Sequence, residues 1–600
     1  MANSPTLSLR LRMLLGELIL LALAATDRSL RALTGGLLRL SAARPRRPGA
    51  AAFARQAAAV AAAAPGRAPA APPPSPGTVF TVDAVIIGGA SSGLAAAAAL
   101  AARGVVAAVL DRRARPGDGW RTRYASLHLH DLVDECCLPF MSLPTSLPTY
   151  VPAAVFADYL DAYALVQRLD WRGGHDVVGV DRRGVGGGDG HRAATTTWRV
   201  TARVGDSATT VHYDAPTVVF ADGGLYNSPR VPAWAAGRAA AGYTGAILHS
   251  SSISAADGSC AARFRGARVL VVGFGNSASD VLQELVAAPA ADVVLAVRDP
   301  ASRPLAPQAE VGRFQETNHS YPWLVSAWGD AAADRLERAA AAAPALAGTA
   351  AAAAAAALRA AAGGLNLLLD AALAARSLRA WGDLAPHGLD ALPGRGGASP
   401  VQWTRATAAV MVMDTGAIPL IKSGAARVVR AGVAALGPGR TVSLDDGTTL
   451  ADVDAVVLCT GFETMTQAAS LLKCEDAKTA LGGVTPAGGL GLAPGTFLVM
   501  PADATGAIES GKRTPVPGLY FVLGRIAAVA ASVLTLADNV AADAAAAQRG
   551  VARLCRRRVT SLLPGPGPDD MPHAPSQRRD EGGAVVGNGG VERATGPRTS

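Results

Sequence analysis

Residues 82–93 read Val-Asp-Ala-Val-Ile-Ile-Gly-Gly-Ala-Ser-Ser-Gly, and this stretch decides the fold. Its first half, Val82–Ile87, is rich in β-branched residues and predicts a buried strand that ends in a glycine turn. The next residues, Ser92–Arg103, favour a helix, and Val105–Leu110 is a second apolar run of strand length. Strand, glycine turn, helix and strand in this order predict a βαβ unit with parallel strands.

A second unit of the same kind begins at Arg268. The pattern predicts a strand at Val269–Val272, a helix at Asn276–Ala287 and a further strand at Val293–Val297. Two βαβ units in one chain indicate either two ligands or a duplication. The sequence therefore predicts an α/β fold with two Rossmann-like dinucleotide-binding domains.

The first glycine turn is Gly88-Gly89-Ala90-Ser91-Ser92-Gly93, and Asp111 closes the second strand behind it. In such a turn the first glycine permits the tight bend, the second lets a diphosphate approach, and the third allows the helix to pack closely. The helix N-terminus then offers unpaired N–H groups to the phosphates, and the acid accepts a ribose hydroxyl. Ala90 occupies the place of the second glycine, which leaves open whether the turn still binds a dinucleotide tightly.

The second glycine turn is Gly273-Phe274-Gly275-Asn276-Ser277-Ala278, and the strand after its helix ends at Arg298. Because an arginine at that place suits a 2′-phosphate, the turn favours NADPH over NADH. The alternative is that both turns are ordinary tight connections from strand to helix. Two turns with correct flanking elements and different ribose-binding residues favour two nucleotide sites.

The net charge of +9 is concentrated at the ends of the chain. Residues 1–76 contain ten arginines, no lysine and two acids, a charge of +8, and residues 551–600 add +3. The remaining body carries −2, which gives no electrostatic footprint for a nucleic-acid partner. We therefore expect a small-molecule substrate, and the oligomeric state stays open.

The N-terminal extension is rich in Arg and Ala and ends in the proline-rich stretch Pro69–Pro76. This composition is typical of a transit peptide followed by a linker, so we expect an organelle, the plastid, with a cytoplasmic or endoplasmic-reticulum-associated protein as alternatives. The apolar run Met13–Ala25 is too short for a bilayer span, and we expect no integral membrane span, with a signal or membrane anchor as the alternative.

The six cysteines are scattered, and none forms a C-x-x-C or C-x-x-H pair of the zinc-binding type. This pattern is typical of a reducing compartment and predicts no metal site. The adjacent pair Cys136-Cys137 favours two packed thiols over a redox centre.

Several segments beyond the two turns resemble the flavin-containing monooxygenases, and among these the plant indole-3-pyruvate (YUCCA-type) branch. The resemblance covers roughly residues 80–545. It is carried by Gly119-Trp120-Arg121, Tyr124 to His130, Leu143 to Tyr150, Tyr243-x-Gly245-x-x-x-His249 with Ile253 in place of an aromatic residue, Trp381-Gly382-Asp383, Val412 to Gly416, and Cys459-Thr460-Gly461-Phe462.

The resemblance implies a monooxygenase that uses FAD, NADPH and O₂ through a C4a-peroxyflavin. In the plant branch this chemistry would convert indole-3-pyruvate into indole-3-acetate by oxidative decarboxylation, a step of auxin biosynthesis. Because the cofactor supplies the difficult chemistry, no catalytic triad or carboxylate pair is required. The alternative within the same chemistry is N- or S-oxygenation of amines or sulfides.

The resemblance also assigns roles to individual residues. His130 is the candidate catalytic residue, which would orient the oxygenated flavin, with a plain hydrogen-bonded histidine as the alternative. The residues expected to bind FAD are Gly88, Gly89, Ala90, Ser91, Ser92, Gly93, Asp111, Gly119, Trp120, Leu129 and His130. Those expected to bind NADPH are Gly273, Gly275, Asn276, Ser277, Ala278 and Arg298.

Two strands that run into a glycine, at Val218–Gly223 and Val456–Gly461, bracket an inserted domain. The expected organisation is an extension over 1–77, the first part of an FAD-binding domain over 78–223, an NADPH-binding domain over 224–450 with an alanine-rich helical insert near 330–370, a return to the FAD-binding domain over 451–555, and a disordered tail over 556–600.

Two further classes of protein are alternatives to a monooxygenase. A disulfide reductase needs a cysteine pair near the first helix, and Ser91–Arg103 contains none. A nucleotide-binding protein that has lost its flavin, and with it any enzymatic activity, is the other alternative, since Ala90 and Ile253 both depart from the expected pattern.

Overall fold

The structure is a computed structural model of the 600-residue chain. It describes residues 74–133, 135–144, 146–183, 197–205, 209–224, 228–254, 263–287, 292–299, 305–308, 353, 357, 371, 375–390, 412–492, 508–524 and 526–562. The chain divides into two compact units, Met1–Asp543 and Ala544–Ser600. All of the architecture below, apart from the end of the last helix, lies in the first unit.

The first glycine turn lies in a five-stranded parallel sheet, the first sheet. Its strands, in spatial order, are β21 (Leu519–Phe521), β8 (Thr217–Phe220), β2 (Ala84–Ile87), β3 (Ala107–Leu110) and β4 (Asp170–Arg172). The chain passes from β2 to β3 on one side and reaches β8 on the other. The carboxyl end of β2 is therefore a topological switch point, where open α/β sheets bind ligands.

Helices cover one face of the first sheet, and a smaller sheet covers the other. Ala84 and Ile86 of β2 face the helices, whereas Val85 and Ile87 face the smaller sheet. The strands of this smaller sheet are β1 (Val79–Thr81), β7 (Thr210–Ala215), β6 (Thr197–Val204) and β5 (His175–Arg183). Its last three strands form an antiparallel meander that the sequence analysis did not predict.

The second glycine turn lies in another five-stranded parallel sheet, the second sheet. Its strands, in spatial order, are β10 (Ala246–His249), β19 (Ala455–Leu458), β11 (Arg268–Val272), β12 (Asp292–Ala296) and β15 (Arg427–Val429). An antiparallel group of β16 (Val433–Gly437), β17 (Thr441–Leu444) and β18 (Thr449–Leu450) packs on one face. Two strand pairs complete the described part: β13 (Leu305–Pro307) with β14 (Val412–Asp414), and β9 (Ser228–Pro229) with β20 (Phe462–Glu463).

The described α-helices connect these strands. They are α1 (Ser91–Ala101), α2 (Asp118–Arg121), α3 (Ala153–Val166), α4 (Ala233–Ala236), α5 (Asn276–Ala287), α6 (Ala417–Lys422), α7 (Thr466–Leu471), α8 (Glu475–Ala480) and α9 (Ile526–Leu562), with 3₁₀ turns at Ser250–Ser252 and Ala385–His387. The α/β fold with two Rossmann-like domains is confirmed by the two parallel sheets, each with a helix after its glycine turn.

One domain boundary differs from the expectation. Strand β19 follows residue 450, yet it pairs with β10 and β11 in the centre of the second sheet. By sheet membership the inserted domain therefore extends to Leu458, and the chain returns to the first sheet at β21. Strand-like runs before a glycine look the same in sequence whichever sheet they join, so the sequence did not place this boundary.

Several predicted features lie outside the described residues. They are the extension up to residue 73, the alanine-rich insert apart from residues 353 and 357, and the tail from residue 563. Residues 556–562, expected to begin the disordered tail, instead form the end of α9. Within the described ranges, no helix is long and apolar enough to cross a membrane. The same ranges contain no cluster of three metal-binding side chains.

Candidate functional site

The first glycine turn has no room for a side chain at its first or its last glycine. Gly88 has a φ of +99°, and a Cβ there would lie 2.6 Å from the backbone oxygen of Ala221 at the end of β8. A Cβ on Gly93 would lie 1.8 Å from the backbone oxygen of Gly88. Helix α1 therefore begins in direct contact with the strand end, as a diphosphate site at a helix N-terminus requires.

The N-terminus of α1 is free to accept an anion. Ala90 is the N-cap residue, no side chain caps the helix, and the first turn carries no acid. The first N–H groups of a helix lack partners within the helix, so an uncapped start favours a bound anion. Ala90 is exposed, so its methyl group is not packed into the core beneath the turn. These residues fit a diphosphate despite the missing second glycine.

Two backbone N–H groups hold the carboxylate of Asp111 beside the first glycine turn. Its carboxylate accepts hydrogen bonds from the backbone N–H of Gly89 at 2.6 Å and of Arg113 at 2.7 Å. A carboxylate has about four acceptor positions, so capacity remains for the hydroxyls of a ribose. The indole of Trp171 lies on the other side of Gly89, where a Cβ would be only 2.2 Å from the Trp171 Nε1 atom. Gly89 is thus restricted to glycine by a tryptophan that sequence reasoning missed.

The second glycine turn repeats this geometry. Gly273 has a φ of +92°, and a Cβ there would lie 2.8 Å from the backbone oxygen of Cys459, beyond β19. Ala278, at the third glycine position, is fully buried, so the helix packs closely there with a methyl group in place of glycine. Arg298 is exposed just beyond β12, on the side of β11 opposite to Cys459.

The remaining residues expected at the second turn anchor or begin α5. The side-chain oxygen of Asn276 accepts a hydrogen bond at 2.8 Å from the backbone N–H of Met413, on β14. Gly275 accepts hydrogen bonds from the backbone N–H groups of Ala278 and Ser279, and Ser277 is partly exposed. Asn276 thus has a structural partner within the chain, in addition to its expected role at the cofactor.

A buried polar cluster joins the segment before His130 to helix α5. Asp280 accepts a 2.6 Å hydrogen bond from the hydroxyl of Tyr124 through Oδ2, and a 2.9 Å bond from Thr415 through Oδ1. The Nε2 atom of His130 lies 3.4 Å from Asp280 Oδ2. Burial and the neighbouring Asp280 carboxylate raise the pKa of Tyr124, so its phenol stays protonated and donates. The cluster ties the two nucleotide domains together beside the candidate catalytic histidine.

The residues expected on the flavin side lie around helix α2 and the segment before α3. Trp120 packs edge-on against Phe156, with ring centroids 5.3 Å apart. Leu129 is buried in the helix-side core of the first sheet, and its backbone N–H donates to Val151 at 2.8 Å. Gly119 has open space where a side chain would stand. Leu129 belongs to the first domain, whereas its neighbour His130 contacts the second.

The motif Tyr243-x-Gly245-x-x-x-His249 includes strand β10, and its histidine links the end of β10 to the segment after β19. His249 is buried, and its Nε2–H donates to the backbone oxygen of Gly461 at 3.0 Å while Nδ1 accepts from the N–H of Ser251 at 3.1 Å. A Cβ on Gly245 would lie 2.4 Å from the hydroxyl of Tyr243. Ile253, in the place of the usual aromatic residue, is buried in the core. The motif therefore has a structural role here.

The neutral state of His249 predicts a loss of stability in acid. Burial lowers the pKa of His249, with Arg123 acting in the same direction. Because the folded pKa lies below the ordinary value of about 6.5, the contribution to stability is complete above that value and is lost as pH falls below it. Between about pH 7.5 and pH 5.5 the His249→Gln variant should therefore lose less in thermal midpoint than the unaltered protein. Equal slopes for the two proteins in scanning calorimetry would contradict this.

The site contains residues that the sequence analysis did not single out. Asp280 lies one turn beyond Asn276 on α5, a spacing that puts the two on one helix face and was visible in the sequence. Asp222, two residues beyond β8, has a buried carboxylate, and its Cα lies beside Gly88. Neither its burial nor its surroundings could be read from the sequence.

Comparisons with known proteins agree with this architecture. Residues 85–306 match the model of the FMO-like family, the flavin-binding monooxygenase-like proteins. The chain is 32% identical over 203 residues to indole-3-pyruvate monooxygenase YUCCA1 of Oryza sativa subsp. japonica, and 31% identical over 187 residues to YUCCA6 of Arabidopsis thaliana. These alignments cover 34% and 31% of this chain and 44% and 40% of the relatives. The match thus spans less than half the length of each relative.

Solved structures share the fold at low sequence identity. A crystal structure of OTEMO in complex with FAD and NADP has a TM-score of 0.50 and 15% identity, and covers 80% of this chain and 87% of the other. The polycyclic ketone monooxygenase of Thermothelomyces thermophila has a TM-score of 0.50 and 15% identity, over 79% and 76% of the two chains. Residues 85–306, which contain both glycine turns, are thus similar to the flavin-binding monooxygenase-like proteins, and the aligned relatives are indole-3-pyruvate monooxygenases.

Proposed function

We propose that this chain is a monooxygenase that uses FAD, NADPH and O₂, with indole-3-pyruvate as its substrate. The observation that carries the proposal is the repeated geometry of the two glycine turns, each at the carboxyl end of a central parallel strand and each packed on a neighbouring strand end. Two such sites in one compact unit suit a pair of dinucleotides that exchange electrons. An enzyme that binds only one dinucleotide would not need the second glycine turn.

Each of the two domains would bind one cofactor. The start of α1 binds the FAD diphosphate, and Asp111 accepts the hydroxyls of its adenosine ribose. The start of α5 binds the diphosphate of NADPH, and Arg298 binds its 2′-phosphate. When bound, the two cofactors supply the reducing electrons and the activation of dioxygen. The protein binds and orients them and keeps the reaction away from water.

His130 would orient the reacting groups from the boundary between the two domains. Its imidazole is mostly buried, and Nε2 lies 3.4 Å from the Asp280 carboxylate on α5 without a hydrogen bond. The ring would have to move only slightly to donate from Nε2 to that carboxylate, which would then orient it. Tyr124 and Thr415 in turn hold that carboxylate, so the orientation of His130 depends on contacts from both domains.

The choice of substrate is supported by the relatives. The curated proteins that the chain matches are named indole-3-pyruvate monooxygenases, and they share with it about a third of aligned positions. A 2-oxo acid also suits the chemistry, because an electron-poor keto carbon accepts a nucleophilic oxygen. Conversion to indole-3-acetate would place the protein in auxin biosynthesis.

The experiment is a spectrum of the purified full chain followed by NADPH oxidation with and without indole-3-pyruvate. Yellow protein, substrate-stimulated NADPH oxidation and the appearance of indole-3-acetate are the expected results. Thioethers and amines serve as competing substrates in the same assay. Oxygenation of these, with no product from indole-3-pyruvate, would replace the proposed substrate by the N- or S-oxygenation alternative. Colourless protein that gains no flavin absorbance with added FAD would favour the nucleotide-binding protein without flavin.

The exposed Arg298 predicts the preference for NADPH over NADH. An arginine that binds the 2′-phosphate through two hydrogen bonds contributes a charge-assisted interaction that NADH does not make. The Arg298→Ala variant should therefore raise the KM for NADPH about tenfold or more and leave the KM for NADH nearly unchanged. Steady-state kinetics with both donors measures the ratio.

Arg427 provides a matched control for this variant. It is equally exposed, but it begins β15, the strand next to β12, at the opposite end from the expected ligand site. The Arg427→Ala variant should keep the donor preference of the unaltered protein. If Arg298→Ala changes both KM values by the same factor, another residue selects the donor.

A further inference from the structure

Asp222 lies directly against the first glycine turn. It follows β8, the neighbour of β2 on the side away from β3, and its Cα lies 2.8 Å from the place of a Cβ on Gly88. The preceding Ala221 packs on the same glycine through its backbone oxygen. Asp222 therefore stands at the topological switch point of the first sheet, where a ligand crosses from one strand end to the next.

The carboxyl group of Asp222 is buried and makes no hydrogen bond of full geometry, although the backbone N–H groups of Asp222 and Gly224 lie close to it. Both of its oxygens are buried, and neither has a hydrogen-bond partner among the residues that the structure describes. Buried polar atoms in proteins are nearly always paired, because an unpaired one forfeits its hydration without compensation. An orphaned carboxyl at a ligand site is thus available to bind the ligand.

The surroundings of this carboxyl favour its neutral form. Burial raises the pKa of Asp222 to about 6, and Arg112, just beyond β3, opposes the shift together with the backbone N–H groups of Asp222 and Gly224. Gly88 and Gly224, which also lie beside it, carry no charge. The nearby Asp111 carboxylate is already occupied by the N–H groups of Gly89 and Arg113.

The second domain has a neutral residue at the equivalent place. Thr460 follows β19 as Asp222 follows β8, and the residue before each packs on the first glycine of its turn, Cys459 on Gly273 and Ala221 on Gly88. The hydroxyl of Thr460 is satisfied, since it donates to the backbone oxygen of Arg230 at 2.5 Å. The fold therefore does not require a carboxyl at this position.

We infer that Asp222 is a further residue of the FAD site and that it binds there in its protonated form, with its O–H donated to the diphosphate. Asp111, at the end of β3, would bind the adenosine ribose. The diphosphate and the rest of the FAD molecule would therefore extend from the turn towards the β8 side, past Asp222. Phosphate oxygens only accept hydrogen bonds, and their negative charge disfavours a second anion beside them. FAD binding would then take up one proton.

The inference rests on the proposed FAD site and predicts a pH-dependent affinity for FAD. Below the pKa of about 6 the carboxyl is already protonated. Above it, each binding event must first protonate Asp222, so the Kd rises with pH by up to about tenfold per unit. We expect the Kd of the full-length apoprotein for FAD to rise about 25-fold between pH 6.5 and pH 8, as measured by quenching of flavin fluorescence.

Two variants isolate Asp222 from other groups that titrate in this range. Asp222→Asn keeps the shape without a titratable proton, and Asp222→Thr introduces the residue found at the equivalent place in the second domain. Both should bind FAD with an affinity nearly independent of pH and, at pH 8, about a hundredfold more tightly than the unaltered protein. Calorimetric titration in two buffers with different ionisation enthalpies should count about one proton taken up by the unaltered protein at pH 8 and none by either variant.

NADP⁺ is the internal control, since its affinity at each pH should be the same in all three proteins and shows that the variants are folded. An FAD affinity independent of pH in the unaltered protein would overturn the inference. So would an affinity that rises with pH and is lost in Asp222→Asn, because Asp222 would then bind as an anion. Absence of FAD binding at every pH in all three proteins contradicts the proposed function itself.

Discussion

The Gly93→Ala variant should lose FAD binding almost completely and should unfold more easily than the unaltered protein. Its new Cβ would lie 1.8 Å from the backbone oxygen of Gly88 and 3.3 Å from the Ile86 side chain. The oxygen belongs to the turn that must bind the diphosphate, so the clash cannot be relieved by rotating a side chain. Either α1 moves away from β2 or the turn opens, and both remove the anion site. We expect at least a hundredfold weaker binding and a free energy of unfolding lower by about 3 kcal/mol.

Gly237→Ala is the matched control for this variant. Gly237 is exposed at the end of α4, and a Cβ there would have its nearest neighbour, the backbone oxygen of Ala233, at the ordinary distance of 3.5 Å. Flavin absorbance of the purified proteins and urea unfolding measure the two effects. Gly93→Ala protein purified with its full complement of flavin would show that the helix does not need to touch the strand end, and the close-approach argument would be wrong.

The glycine turns explain why the core of the fold could be predicted. A backbone that must adopt a φ near +99° at Gly88, and a helix that starts in contact with a strand end, leave glycine in the sequence at fixed places. The apolar runs beside them identify buried strands, because a parallel sheet covered on both faces needs apolar side chains on both sides. Such local requirements appear in the residues themselves.

The antiparallel meander over the first sheet has a sequence pattern that identifies its strands. In β6, Trp198, Val200 and Ala202 are buried and alternate with more exposed polar residues. This period of two is typical of a strand with one buried face. The neighbouring strands have the same alternation in shorter form, and the meander could have been predicted from it.

The polar cluster around Asp280 could not have been predicted in the same way. Asp280 and Tyr124 are 156 residues apart, and neither belongs to a motif that indicates the other. A polar residue on a helix usually faces solvent, and only the packing of α5 on the segment before His130 buries this one. Contacts of this kind depend on the arrangement of whole domains, which local patterns do not encode.

The contact between the domains should therefore fail when Asp280 is removed. Asp280→Ala leaves the buried hydroxyl of Tyr124 without its acceptor, removes one acceptor of the Thr415 hydroxyl, and takes away the carboxylate beside His130. Losing a buried, charge-assisted acceptor costs several kilocalories per mole, so we expect the free energy of unfolding to fall by about 3 kcal/mol. Urea unfolding followed by tryptophan fluorescence gives the value.

A double-mutant cycle with Tyr124→Phe distinguishes the loss of this hydrogen bond from a general disturbance of α5. Tyr124→Phe alone should cost about 1.5 kcal/mol, and adding it to Asp280→Ala should cost almost nothing more, because the donor then no longer lacks an acceptor. Glu284→Ala is the control on the same helix. Glu284 bonds the N–H of Ser126 at an exposed site, and its loss should cost less than about 1 kcal/mol. Strictly additive effects of Tyr124→Phe and Asp280→Ala would mean that the two residues stabilise the protein separately. The link between the domains would then have to lie elsewhere.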